Sequence, residues 1–146
     1  MKANELMIGD WVRIDEPDKY AGATGQIQSL MYHREDDSAY FNVFIQGKFG
    51  YVSRDVCSDD IRPIPLTADI LEKNGFENIG DDTYQLEEKP CWFWVDFFRH
   101  TYGCEYDTST YEYEDDEHRL KLYGIPRVHE LQHALRLCGI EKEIEL

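Results

Sequence analysis

The sequence predicts an α+β protein: a small antiparallel β-barrel over residues 1–66, followed over residues 67–146 by two short helices packed on an antiparallel sheet. Two observations carry this. The first part breaks into short apolar stretches separated by glycine turns, with no room for the crossover helix a parallel sheet requires. The second part holds two segments that each read as a helix with a glycine stop, set around several strand-like runs. A chain of 146 residues that is 42% hydrophobic can bury a core without disulfide staples.

In the first part, Gly9-Asp10 precedes the alternating Trp11, Val12, Arg13 and Ile14, and Pro17-Asp18 opens a loop. Gly22 and Gly25 lead into a second strand over residues 26–32, in which Ile27, Leu30 and Tyr32 supply apolar surface. Residues 33–38 are polar and turn-like. A third strand is expected at 40–45, where aromatic and β-branched residues concentrate, and a fourth at 50–53 after the turn at Gly47-Lys48. A last short piece ends at Pro63-Ile64-Pro65, and residues 62–66 form the junction. Thr67 then caps a helix running through Asn74, with Ile70 and Leu71 toward the core and Gly75 as its left-handed stop. Strands follow at 83–86, 91–98, 102–113 and 119–123. Pro126 suits the first turn of a second helix that runs to Cys138 and stops at Gly139, and the tail 141–146 is expected to add an edge strand.

Gly9-Asp10-Trp11-Val12, then Gly22-x-x-Gly25-x-Ile27 and the exit Asp60-Ile61-x-Pro63-Ile64-Pro65-Leu66-Thr67 together resemble an SH3-like barrel of the Tudor or KOW kind. That resemblance implies a binding module over residues 1 to about 66. Residues 1–6, 63–67 and 128–132 (Met-Lys-Ala-Asn-Glu-Leu, Pro-Ile-Pro-Leu-Thr and Val-His-Glu-Leu-Gln) resemble a family of small uncharacterised proteins from anaerobic gut bacteria and their prophages or mobile elements. This second resemblance implies an origin and no mechanism.

Fifteen Lys and Arg stand against thirty Asp and Glu, a formal charge of −15 that repels nucleic-acid phosphates and anionic lipid headgroups. Lys2, Arg13, Lys19, Arg34, Lys48, Arg54 and Arg62 are scattered singly, so direct nucleic-acid binding is disfavoured. The chain shows no secretory leader and no run that spans a bilayer, and a cytoplasmic location without membrane association is expected. Cys57, Cys91, Cys104 and Cys138 then read as reduced, partly buried thiols, and none forms a Cys-x-x-Cys pair.

One segment carries a catalytic pattern. His129-Glu130-Leu131-Gln132-His133 matches H-E-x-x-H, in which two histidines one helical turn apart hold zinc and the glutamate activates water. On a helical projection Val128, Leu131, Ala134, Leu135 and Cys138 share the apolar face, and His129 and His133 fall opposite it, away from the core. The extended form of the motif needs Gly where Arg136 stands and His where Gly139 stands. A glutamate ligand from Glu141, Glu143 or Glu145 needs a sharp reversal of the chain. The pattern is therefore read as a solvated helix face, with no catalytic, cofactor-binding or metal-binding residue assigned and no cofactor expected.

Trp92-Phe93-Trp94-Val95-Asp96-Phe97-Phe98 is the most apolar stretch and reads as a central strand covered on both faces. The competing reading gives Trp92, Trp94 and Phe97 a binding surface. Trp11, Tyr32, Tyr40, Phe44 and Tyr51 form a second aromatic set, in part core and in part a candidate groove for proline-rich or methylated peptides. The acidic residues 111–117, with Asp36, Asp37, Asp59 and Asp60, read as solvated surface, with mimicry of DNA as an alternative. These acids lack the spacing of a calcium loop, and His33, His100 and His118 have no patterned partners. The function expected is non-catalytic interaction with another protein. The alternatives are a zinc-dependent hydrolase built on His129, Glu130 and His133, and an acidic inhibitor of a nucleic-acid-binding protein.

Overall fold

The computed structural model describes residues 5–16, 19–33, 38–47, 50–89, 91–106 and 119–146. The chain divides into two compact units, Met1–Ile64 and Pro65–Leu146.

In the first unit, β1 (Trp11–Ile14), β2 (Thr24–His33), β3 (Ser38–Gly47), β4 (Gly50–Cys57) and β5 (Ile61–Arg62) form one antiparallel sheet in the order β4-β3-β2-β1-β5. A single 3-10 turn, Ser58–Asp60, reverses the chain so that β5 returns beside β1. The β2–β3 register shifts between Ile27 and Ser29, and such a bulge bends a strand and raises its twist. The result is a half-barrel. Its concave side holds Val12, Ile14, Ile27, Phe41, Val43, Ile45, Val56 and Ile61, all nearly inaccessible to water. Asp10, itself fully buried, accepts a hydrogen bond from the Met7 amide at 2.7 Å, which closes the turn in which Gly9 has φ +88. Gly25 belongs to the same packing. A methyl there would lie 2.7 Å from both the Phe44 carbonyl oxygen and Val43 Cγ1.

In the second unit, β6 (Glu77–Gly80), β7 (Thr83–Glu88), β8 (Cys91–Asp96), β9 (Thr101–Tyr106) and β10 (Arg119–Tyr123) form an antiparallel meander in the order β10-β9-β8-β7-β6. Asp81 and Asp82, with φ of 50° and 55°, make the two-residue turn between β6 and β7, the backbone that matches the twist of a tight hairpin. Helix α1 (Ala68–Lys73) precedes this sheet and α2 (Val128–Leu137) follows it.

Both helices stop as their glycines predict. The Phe76 amide donates to the Leu71 carbonyl and the Gly75 amide to that of Glu72, and Ile140 to Leu135 and Gly139 to Arg136 repeat the pattern. Thr67 Oγ1 accepts from the Ile70 amide at 3.3 Å, the cap read from the sequence. Of the two residues assigned to the core from α1, Leu71 is buried and Ile70 only half-buried.

Four expectations need correction. The α+β class is overturned. Among the described residues ten strands in two antiparallel sheets carry the fold, and the two helices are six and ten residues long, so the protein is mostly β. The expected edge strand at 141–146 does not form. Instead the Asn74 side chain donates to the Glu145 carbonyl at 2.8 Å and accepts from the Glu145 amide at 2.9 Å. An amide side chain offers the same donor and acceptor pair as a strand backbone, so it holds the tail beside α1 with Ile144 buried. Pro126 lies before α2 and not within its first turn, because Arg127 occupies the cap position. β6 was not anticipated. The predicted strand 102–113 is seen as far as Tyr106, and its remainder lies outside the described residues.

Gly25→Ala is expected to lower the stability of the protein by about 1–3 kcal/mol, because the added methyl meets backbone that cannot swing aside. Urea denaturation followed by tryptophan fluorescence measures the loss.

Candidate functional site

The alternation of β8 sorts the most apolar run of the chain. Cys91, Phe93 and Val95 are buried, and across the flanking strands they share a face with Tyr84, Leu86 and Cys104, also buried. Phe76 meets Phe93 edge-on at 6.4 Å, and α2 closes this side, with Cys138 against Cys104 and Glu130 close to Tyr102. Trp92 and Trp94 must therefore leave on the other face. They are half-buried there, and the residues around them line an open groove of about 280 Å³.

Register places the residues of this face in rows. In the first row Glu87, Trp92, Glu105 and Arg119 lie directly opposite one another on β7, β8, β9 and β10. The second contains Gln85, Trp94, Gly103 and Lys121, and the third Thr83, Asp96, Thr101 and Tyr123. Gly103 is required where it stands, since a methyl would overlap the Leu120 carbonyl. Ile79, 59% exposed, borders the groove from β6. Lys121 Nζ lies 5.6 Å from the centre of the Tyr123 ring, at the end away from Trp92.

Asp96 ends β8 and organises the turn to β9. Its Oδ1 accepts from the Arg99 amide at 2.7 Å and its Oδ2 from Arg99 Nη1 at 2.9 Å. Burial favours the protonated acid, yet the two Arg99 hydrogen bonds, the Arg99 charge and the Phe98 amide outweigh it and hold this carboxyl below the usual carboxylate range.

The sequence reading is corrected at two points here. β8 is not covered on both faces among the described residues, because its tryptophan side opens into the groove. Phe97 does not join the tryptophans. It packs edge-on against Tyr84, on the helix side of the sheet, at 5.8 Å. Glu87, Glu105, Gln85 and Lys121 escaped sequence reading; the polar positions alternating with Tyr84 and Leu86 in β7 were the available signal.

The H-E-x-x-H segment lies on α2 as expected, but its side chains are not where the helical projection put them. His129 is only 3% exposed and His133 is half-buried, their rings edge-on with centres 5.9 Å apart. Glu130 Oε2 accepts from the Arg127 amide at 2.7 Å and its Oε1 lies 4.0 Å from Arg127 Nη1, so this carboxylate closes the start of its own helix. Among the described residues no three His, Cys, Asp or Glu side chains gather in a way that could hold a metal ion.

The aromatic set of the first unit does not converge. Trp11, Tyr40 and Phe44 leave on the convex face of the sheet, while Tyr32, opposite Ala39, leaves on the other. The Tyr51 side chain, the acidic stretch 111–117, Asp36, Asp37 and His118 lie outside the described residues.

Cys91, Cys104 and Cys138 form a buried cluster, with Cys104 between the other two. Burial first, and then the neighbouring thiol of Cys104, pushes Cys91 up to about 12, and the same causes raise Cys138. Neither forms the reactive thiolate near neutral pH.

The chain matches no protein-family model, no curated protein and no solved structure.

Two outcomes follow from this geometry. Asp96→Asn is expected to cost about 1–3 kcal/mol at pH 7. Because the folded carboxyl titrates below the unfolded one, the advantage of Asp96 is complete above about pH 4 and disappears as pH falls through the lower, folded value. Paired urea titrations at neutral and strongly acidic pH measure both. In the native protein, a thiol reagent at neutral pH is expected to modify half-buried Cys57 first and the three clustered thiols only at the rate of opening, whereas all four react in denaturant.

Proposed function

We propose that the chain is a non-catalytic interaction protein, and that the second unit holds an extended segment of a partner protein against its tryptophan face. The observation that carries this reading is the open groove in which Trp92 and Trp94 stand half-buried on the side of the sheet away from α2. Tryptophan is among the residues that dominate binding energy in protein interfaces, because it brings large area at little conformational cost.

The dimensions favour a partner side chain over a free small molecule, since 280 Å³ lies just below the usual range of about 300–1,000 Å³ for drug-sized ligands. The chemistry argues in the same direction. The residues lining the groove include no histidine, cysteine or serine, and Asp96 is engaged by Arg99, so no activated nucleophile is paired with a base. A charge of −15 opposes nucleic acid as the partner, and among the described residues no helix is long and apolar enough to cross a membrane. β6 adds four exposed residues on the border of the groove, a short edge beside which an extended segment can run.

Selection of displayed random peptides on the intact chain tests the reading. Enriched peptides are expected to bind at least about tenfold more weakly to the Trp92→Ala and Trp94→Ala variants, whose folding is checked by their thermal midpoints. Enrichment that ignores both substitutions, or no enrichment, overturns it.

A further inference from the structure

We infer that the partner segment seated across Trp92 and Trp94 is proline-rich and lies there as a polyproline helix; this rests on the reading of the tryptophan face as a partner site. β8 is hydrogen-bonded to β7 on one side and to β9 on the other, so its own ladder groups are already paired and the face over the two indoles offers rings and side chains but no strand edge. A segment that binds by adding a strand finds nothing to pair with there. A polyproline helix makes no internal hydrogen bonds, keeps its backbone solvated and is ordered before it binds, which lowers the entropy lost on docking.

The charges of this face point to a neutral occupant. In the Trp92 row Lys89 Nζ lies 3.9 Å from Glu87, and Arg119 holds the ladder position opposite Glu105. Glu77 on β6 and Lys121 on β10 end the Trp94 row, one of each sign. In the third row Asp96 is engaged by Arg99 at 2.9 Å. Acids and bases therefore balance row by row, on a chain whose formal charge is −15. A charged side chain laid on this face meets its like as often as its opposite and has to shed water to do so, whereas a neutral ring meets no such cost.

Spacing and hydrogen-bond chemistry fit the same occupant. Trp92 and Trp94 are alternate residues of one strand, about 6.4–6.8 Å apart at the usual rise. A polyproline helix advances about 6.2 Å over two residues, and with three residues per turn those two share one face of it, so a second proline reaches the second indole. An indole presents a flat apolar surface that a pyrrolidine ring can cover. Proline has no N–H, so the backbone of such a segment offers carbonyl acceptors in excess of donors. The groove supplies donors to match, from the Gln85 amide, the Lys121 ammonium and the further N–H groups of Arg99.

The test uses the intact chain and the peptides selected on it. Enriched peptides are expected to carry two prolines two residues apart, and replacing either by alanine should weaken binding about tenfold in calorimetric titration. Against the Trp92→Ala or Trp94→Ala variant, one of the two replacements should cost little more, because the ring that its proline covers is gone. Affinity should change by less than about twofold between low and high salt, since the face carries no net charge to screen. Enriched peptides without the paired prolines, alanine replacements that leave affinity unchanged, or a steep fall of affinity with salt overturn the inference. If binding in those cases still depends on Trp92 and Trp94, the interaction reading survives and only the proline segment is wrong. If binding ignores the tryptophans, or no peptide is enriched, both fall together.

Discussion

A strand sends successive side chains to opposite faces, and the second unit is organised by that constraint acting on one apolar run. β8 carries too many rings to bury on one side. Phe93 and Val95 take the side closed by α2, with Cys91 and Cys104 around them, and this commits Trp92 and Trp94 to the other. The buried core and the open groove are thus two faces of the same six residues. The thiol cluster follows from the same arrangement, since Cys138 ends the helix that covers Phe93.

Short-range polar contacts then fix the ends of these elements. Asp96 closes the turn from β8 to β9, and Asn74 holds the tail through paired bonds to the Glu145 backbone. Asp10 closes the turn before β1 in the same manner. Each is nine-tenths or more buried, so each hydrogen bond replaces one that water would otherwise make, and loss of the side chain would strand a backbone partner. Glu130, part-exposed, does similar work at the start of α2. Within a sequence it completes a zinc-peptidase pattern, and within the fold it accepts from the amide of Arg127, the residue that caps α2.

What was legible in the sequence is local. The cap at Thr67, the glycine stops after both helices and the strand at Trp11–Ile14 depend on residues within a few positions of one another, and they stand where the reading put them. The readings that failed required knowledge of what lies alongside. A helical projection ranks the faces of α2 by hydrophobicity but does not say how wide a face is covered, so His129 and Gln132 turned out to be buried. The balance of classes failed for a related reason. Strand length is set by pairing, and β4 runs to Cys57 because β3 offers partners as far as Tyr40. Glu87 and Glu105 were invisible as neighbours of Trp92 because they lie on different strands, brought level only by register.

The amino-acid sequence by itself determined the acidic charge, the turn and cap positions and the alternation that splits β8 into two faces. These are set by residue chemistry and by backbone preferences over a turn or two of chain. The tertiary structure alone decided which face of β8 stays open, which carboxylates flank Trp92, and that Glu130 serves a helix cap. Those outcomes depend on strand register and on the placing of one helix, which are fixed by contacts between residues far apart in the chain, each of them meaningful only once the others have formed.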